Sequence, residues 1–182
     1  MRKSLIIFLC AAALMLTGCS KNLASDVSKF IEADGRGYGQ TYEKGLNEYN
    51  QTQFFKFQVK EAYRTETVGD FYLDSDDMEF LCVNVEVINT FDKEIPVGTY
   101  DFTVRWGDGE DDFNYAESQD DGFGFDNYPE DTTLSVGKTA KGNVYFIVPK
   151  SAESLKLEYL EYYTDEFEGN TFIINLGNPA KQ

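Results

Sequence analysis

The sequence predicts an all-β protein in which two antiparallel sheets of seven to eight strands in total pack face to face. Three observations predict it. From Gln53 onward apolar residues recur with a period of two, in six separate stretches. Turn-forming residues punctuate the gaps, as Val97-Gly98, Gly107-Asp108-Gly109, Val136-Gly137, Pro149-Lys150 and Glu168-Gly169-Asn170. No helical period intervenes, so the helical crossovers that a parallel sheet needs are missing. Short sequential strands of this kind close into a sandwich.

In chain order, residues 1–18 come first. Arg2 and Lys3 precede twelve apolar residues, Leu5 to Leu16, which is the pattern of an export signal. A spanning helix needs roughly 20 apolar residues, so this run is too short for a lasting transmembrane anchor. It ends in Leu16-Thr17-Gly18-Cys19, which resembles the lipobox of bacterial lipoproteins. That resemblance implies cleavage before Cys19 and acylation of its thiol, with anchoring to the membrane through lipid; two or more acyl chains give stable attachment where one gives marginal binding.

Residues 19–50 are expected to carry a short amphipathic helix and a flexible stalk. Leu23, Val27, Phe30 and Ile31 share one helical face, and Asp34-Gly35 stops it. GRGYGQTYEKG, residues 35–45, has four glycines and no apolar period. Thirty residues of coil span roughly 30 Å. The helix has two alternative docking places, the domain itself or the membrane surface.

The sandwich is assigned to residues 51–182. In FFKFQVKEAYR, Phe55, Phe57 and Val59 face inward. MEFLCVNVEVINT contributes Leu81, Val83, Val85 and Val87. TYDFTVRWGDG contributes Tyr100, Phe102, Val104 and Trp106, so Trp106 is expected in the core. GNVYFIVP, SLKLEYLEYY and NTFIINL continue the series with Val144, Phe146, Val148, Leu155, Leu157, Tyr159, Phe172, Ile174 and Leu176. Each stretch is rich in β-branched and aromatic residues.

Composition excludes several chemistries. There is no histidine among the 182 residues. Ser-His and Cys-His nucleophile pairs and His-containing zinc sites are therefore excluded. Of three cysteines, Cys10 leaves with the signal and Cys19 takes lipid. Cys82 alone remains, inside a strand, as a small packed side chain. The formal net charge is −16, and loss of residues 1–18 removes two basic and no acidic side chains. Such a surface repels nucleic acid. It favours a cationic peptide or a basic protein, and the interspersed aromatics also suit a glycan.

Residues 106–131, WGDGEDDFNYAESQDDGFGFDNYPED, hold ten Asp or Glu and no Lys or Arg. The first reading is a solvated acidic connection with an irregular edge strand. The second is a Ca²⁺ site in which Asp108, Glu110, Asp111 and Asp112 supply oxygens. Their order does not follow the EF-hand spacing, and Asp74-Ser75-Asp76-Asp77 fails the same comparison. The third is recognition of a cationic peptide or a sugar by the aromatics. No other cofactor is indicated.

The strand stretches FFKFQV, FLCVNVEVINT, DFTVRW, LSVGKTAKGNVYFIVP and KLEYLEY, across roughly residues 41–176, resemble bacterial lipoproteins with an Ig-like domain of unknown function, akin to the secreted immunoprotective extracellular antigen fold. The resemblance implies an Ig-like sandwich on a lipid tether, extracytoplasmic and in a Gram-positive envelope, with no catalytic residues. The expected function is a non-enzymatic surface module that binds a ligand. The alternatives are a Ca²⁺-binding sandwich using loop 106–131 and a hydrolase built on paired carboxylates. A two-lobed transport receptor is disfavoured by the missing helical repeats.

Overall fold

The computed structural model describes residues 36–119 and 123–182. Its strands are β1 (Thr41–Lys44), β2 (Asn50–Gln51), β3 (Phe55–Thr65), β4 (Thr67–Val68), β5 (Phe71–Tyr72), β6 (Met78–Asn89), β7 (Ile95–Val97), β8 (Thr103–Arg105), β9 (Phe113–Tyr115), β10 (Thr132–Leu134), β11 (Thr139–Pro149), β12 (Leu155–Tyr162) and β13 (Glu168–Gly177). A 3-10 turn, Thr99–Asp101, joins β7 to β8. One sheet runs β1-β13-β12-β8-β9 and the other β11-β6-β3-β2. Two pairs, β10 with β7 and β4 with β5, complete the fold.

The inward positions are the ones the period predicts. Phe57, Val59, Leu81, Val83, Val85 and Val87 are buried from the second sheet, and Leu155, Leu157, Ile174 and Leu176 from the first. Full burial of one such side chain contributes about 1.5–3 kcal/mol. Rings of Phe55, Phe57, Phe102 and Tyr159 meet at centroid separations of 4.8–6.3 Å, which fixes the two sheets against each other at one end.

A second, smaller core lies on the outer face of the second sheet. The β4–β5 hairpin and Phe123 cover Phe80, Cys82 and Tyr145 there. This is why residues 79–83 of β6 are buried on both faces although the alternation implies one. Cys82 is fully buried, and burial pushes its thiol up to about 11.

Several expectations are corrected. The stalk assigned to 19–50 is too long at its C-terminal end: β1 pairs with β13 from Thr41 to Lys44 and β2 pairs with β3, and residues Tyr38–Gln182 form one unit. The β1–β13 pairing is parallel, whereas the other strand pairs are antiparallel. Tyr100 sits on the 3-10 turn with 59% of its surface exposed, because the chain enters β8 only at Thr103. Trp106 is half-buried at the rim of the core. Glu168-Gly169-Asn170 is strand; the reversal comes earlier, where Glu166 N–H donates to the Tyr163 carbonyl and Glu166 takes φ 65°. Residues 1–18, Cys19 and the 23–31 segment lie outside the described residues.

In residues 106–131, β9 is an edge strand of the first sheet and Asp108, Glu110, Asp111, Asp126 and Asp131 are exposed, as the solvated-connection reading expects, but the segment is also pinned to β11. β11 is an edge strand, and an open edge is a template for unwanted pairing. The acidic segment covers that edge. Glu117 N–H donates to the Tyr145 carbonyl at 2.8 Å, Tyr128 N–H to the Asn143 carbonyl at 3.0 Å, and Asn143 N–H to the Asp126 carbonyl at 2.8 Å. Side chains of Asn114 and Gln119 donate to the Ile147 and Asn143 carbonyls. Tyr128 and Phe123 are buried and fasten the segment, while Asp108, Glu110, Asp111, Asp126 and Asp131 are exposed.

Candidate functional site

The outer face of the first sheet is left open along β12. The odd residues of this strand, Leu155, Leu157, Tyr159 and Glu161, point into the sandwich and are buried. The even residues therefore point out. Two of them, Leu160 and Tyr162, are large apolar side chains exposed to water.

Three depressions follow one another along this strand. The middle one encloses about 520 Å³ over Thr103, Arg105, Glu158 and Leu160, with Tyr100, Phe113, Tyr115 and Tyr162 as walls. Tyr100, Tyr115 and Tyr162 are exposed by 59, 57 and 58% respectively, so none of the three serves the core. The second, about 470 Å³, is more apolar and lies round the end of the sandwich, where Phe54, Phe55, Phe91 and Ile95 meet Tyr163 and Thr164; it shares Asp101, Tyr159 and Tyr162 with the first. The third, about 340 Å³, holds Trp106, Ser154 and Lys156, and shares Arg105 with the first.

The charges within this face are engaged. Arg105 lies over the Phe113 ring, 5.3 Å from its centroid, and pairs with Glu158 at 3.7 Å. β12 and β8 hold this pair in place, since Lys156 stands opposite Arg105 and Glu158 opposite Thr103. Asp101 closes the 3-10 turn by accepting the Gly98 N–H at 2.8 Å. Burial raises its pKa above 3.8, the Gly98 hydrogen bond pulls it back, and the Asp131 charge raises it again. Burial likewise raises the phenols of Tyr128 and Tyr159, with the Asp101 charge adding to both.

A carboxyl whose folded pKa lies above its unfolded value contributes stability fully below the unfolded value and loses it as pH rises through the folded one. Asp101 therefore weighs against the fold at neutral pH. Asp101→Asn keeps an oxygen acceptor for Gly98, so it raises the melting temperature at pH 7, and the gain shrinks towards zero by about pH 3. Paired melting curves at the two pH values check this; an equal or lower melting point for the variant at pH 7 refutes it.

The calcium candidates are placed otherwise. Asp112 accepts the Gly109 N–H at 2.9 Å and so closes its own turn, while Asp108, Glu110 and Asp111 are exposed. Among the described residues no three acidic or thiol side chains converge closely enough to hold a metal ion. The structure thus does not gather Asp108, Glu110, Asp111 and Asp112 into a coordination shell. The face along β12 was missed in the sequence, although Leu160 and Tyr162 at even positions of an alternating strand were its signal.

Fold and face together define an Ig-like β-sandwich with one sheet left uncovered. The chain belongs to the family described as a domain of unknown function, DUF4352, whose model matches residues 44–170. It is similar to the crystal structure of YcdA, a candidate lipoprotein of Bacillus subtilis, at 26% identity and a TM-score of 0.52, over 70% of this chain and 38% of that one. The chain thus spans well under half the length of YcdA. It shares its fold with the secreted protein MPT63 of Mycobacterium tuberculosis, at 14% identity and a TM-score of 0.52, over 74% of this chain and 98% of that one. No curated protein matches the chain.

Proposed function

We propose that this protein is a lipid-anchored, extracytoplasmic binding module that acts without catalysing a reaction, and that the uncovered face along β12 is where it binds. The observation that carries this reading is the set of three half-exposed tyrosines, Tyr100, Tyr115 and Tyr162, around one depression. Exposed rings that serve no core are costly to leave in water and mark contact surfaces. The tether is supported by the Leu16–Cys19 lipobox and by the likeness to YcdA. The lack of histidine, and the engagement of Glu158 by Arg105 and of Asp101 by Gly98, support binding rather than turnover.

One observation favours the carboxylate-pair hydrolase as a second reading: Asp101 is a desolvated carboxyl beside aromatic rings, and it lines the same depression as Glu158.

Retention on isolated cell-envelope material tests both. The full chain, purified in detergent, is expected to be retained, and the triple variant Tyr100→Ala/Tyr115→Ala/Tyr162→Ala to lose at least about tenfold in affinity, 1.4 kcal/mol, with an unchanged melting point. Equal retention of the variant refutes the binding face. Soluble sugar released over time, and lost in Asp101→Asn, would install the hydrolase instead.

A further inference from the structure

We infer that the ligand of this face is an uncharged polysaccharide strand lying along β12. The inference rests on the reading of the face as the binding face. Three features of the track carry it.

The first is shape. Ser154 and Lys156 line one depression, Glu158 and Leu160 the next, and Thr164 the last, with Tyr162 shared between the middle and the last. Every second residue from 154 to 164 is used. The eight residues of β12 run about 26 Å. A site that long, in three connected shallow segments, fits a linear polymer rather than a compact molecule.

The second is the recurrence of flat apolar surface. Each segment has its own ring: Trp106 in the third depression, Phe113 with Tyr115 in the middle, Phe91 with Tyr163 in the second. A pyranose presents a flat C–H face that covers such a ring, and a repeating polymer presents one at intervals.

The third is charge. The molecule carries −16, yet along the track Lys156, Arg105 and Lys93 stand against Asp108, Glu158, Asp101 and Glu94, three cations to four carboxylates. A balanced lining selects neither a polyanion nor a polycation. What it offers is alternating donors and acceptors, which is what a row of hydroxyls requires.

The test is calorimetric titration of the full chain with neutral glucan, mannan and N-acetylglucosamine oligosaccharides, from disaccharide to octasaccharide, beside an oligolysine and an oligogalacturonate of similar length. One neutral series is expected to bind, with Kd falling at least about tenfold between disaccharide and hexasaccharide, and to lose that binding in the Tyr100/Tyr115/Tyr162 triple variant. Failure of every neutral series, or an affinity that does not grow with chain length, overturns the inference. If the oligolysine binds through the three tyrosines while the sugars do not, the polysaccharide falls and the binding face stands. If envelope retention also survives the triple variant, both fall.

Discussion

Glu79→Gln is expected to lower the stability of the fold by about 3–5 kcal/mol. The reason is a cation sealed inside the sandwich. Arg64 and Glu79 each have 5% of their side chains exposed, and Nη1 of the arginine meets Oε1 of the glutamate at 2.6 Å. The same guanidinium donates to the carbonyls of Pro149, at 3.3 Å, and Ala152. Its backbone holds the C-terminal tail, by accepting from Gln182 N–H and donating to the Ala180 carbonyl. Without the carboxylate the guanidinium stays buried with two carbonyl partners and no counter-charge.

Breaking one half of a buried pair costs far more than the pair is worth, since the desolvation of two ions offsets most of their attraction. The double variant Arg64→Met/Glu79→Leu should therefore be more stable than either single one. For a chain of this length each kcal/mol moves the midpoint by about 2–4 °C, so the single variant should melt roughly 10 °C lower. A double-mutant cycle in urea reads both quantities. A double variant as unstable as the singles would show that the pair is worth its burial here.

Gly142→Ala is the second large effect, at roughly 2–4 kcal/mol. Gly142 lies in β11 opposite Val85 and takes φ 153°. A Cβ there would stand 2.4 Å from the Tyr128 nitrogen and 2.5 Å from the Asn127 carbonyl carbon. Both contacts are backbone, and neither can swing away. The alanine therefore lifts the acidic segment off β11, breaks the Tyr128 N–H bond to Asn143 and drags Tyr128 from its pocket against Phe102. The bared edge is open to intermolecular pairing. The expected result is a lower melting point together with concentration-dependent association on size-exclusion chromatography. A monomeric Gly142→Ala protein with wild-type stability would mean that the segment has room to shift.

The long strands were legible because each has one buried face and keeps its period. What escaped had physical reasons. β1 is exposed at all four residues, so TYEK carries no apolar alternation, and its parallel pairing with β13 depends on a partner 130 residues away. The outer core around Cys82 is built by a distant hairpin, which no pattern within β6 announces. In the 106–131 segment the carboxylates outnumber the aromatics that anchor it, so composition spoke for solvent while Tyr128, 1% exposed, spoke for the core. The Arg64–Glu79 pair joins two strands and looks like ordinary surface charge in sequence. The open face along β12 was half legible: Leu160 and Tyr162 break the polar side of the strand, but Tyr100 and Tyr115 reach it only through tertiary structure.

The burial of Cys82 bears on how the domain meets a change in redox conditions. A thiol pushed up to about 11 is ionised in roughly one molecule in ten thousand at neutral pH. Only the thiolate attacks a disulfide or an oxidant, so the folded domain is inert to both. With Cys82 as its one cysteine, the sandwich holds no internal disulfide and keeps its shape in reducing surroundings as in oxidising ones. The two other cysteines, Cys10 and Cys19, precede the sandwich in the chain.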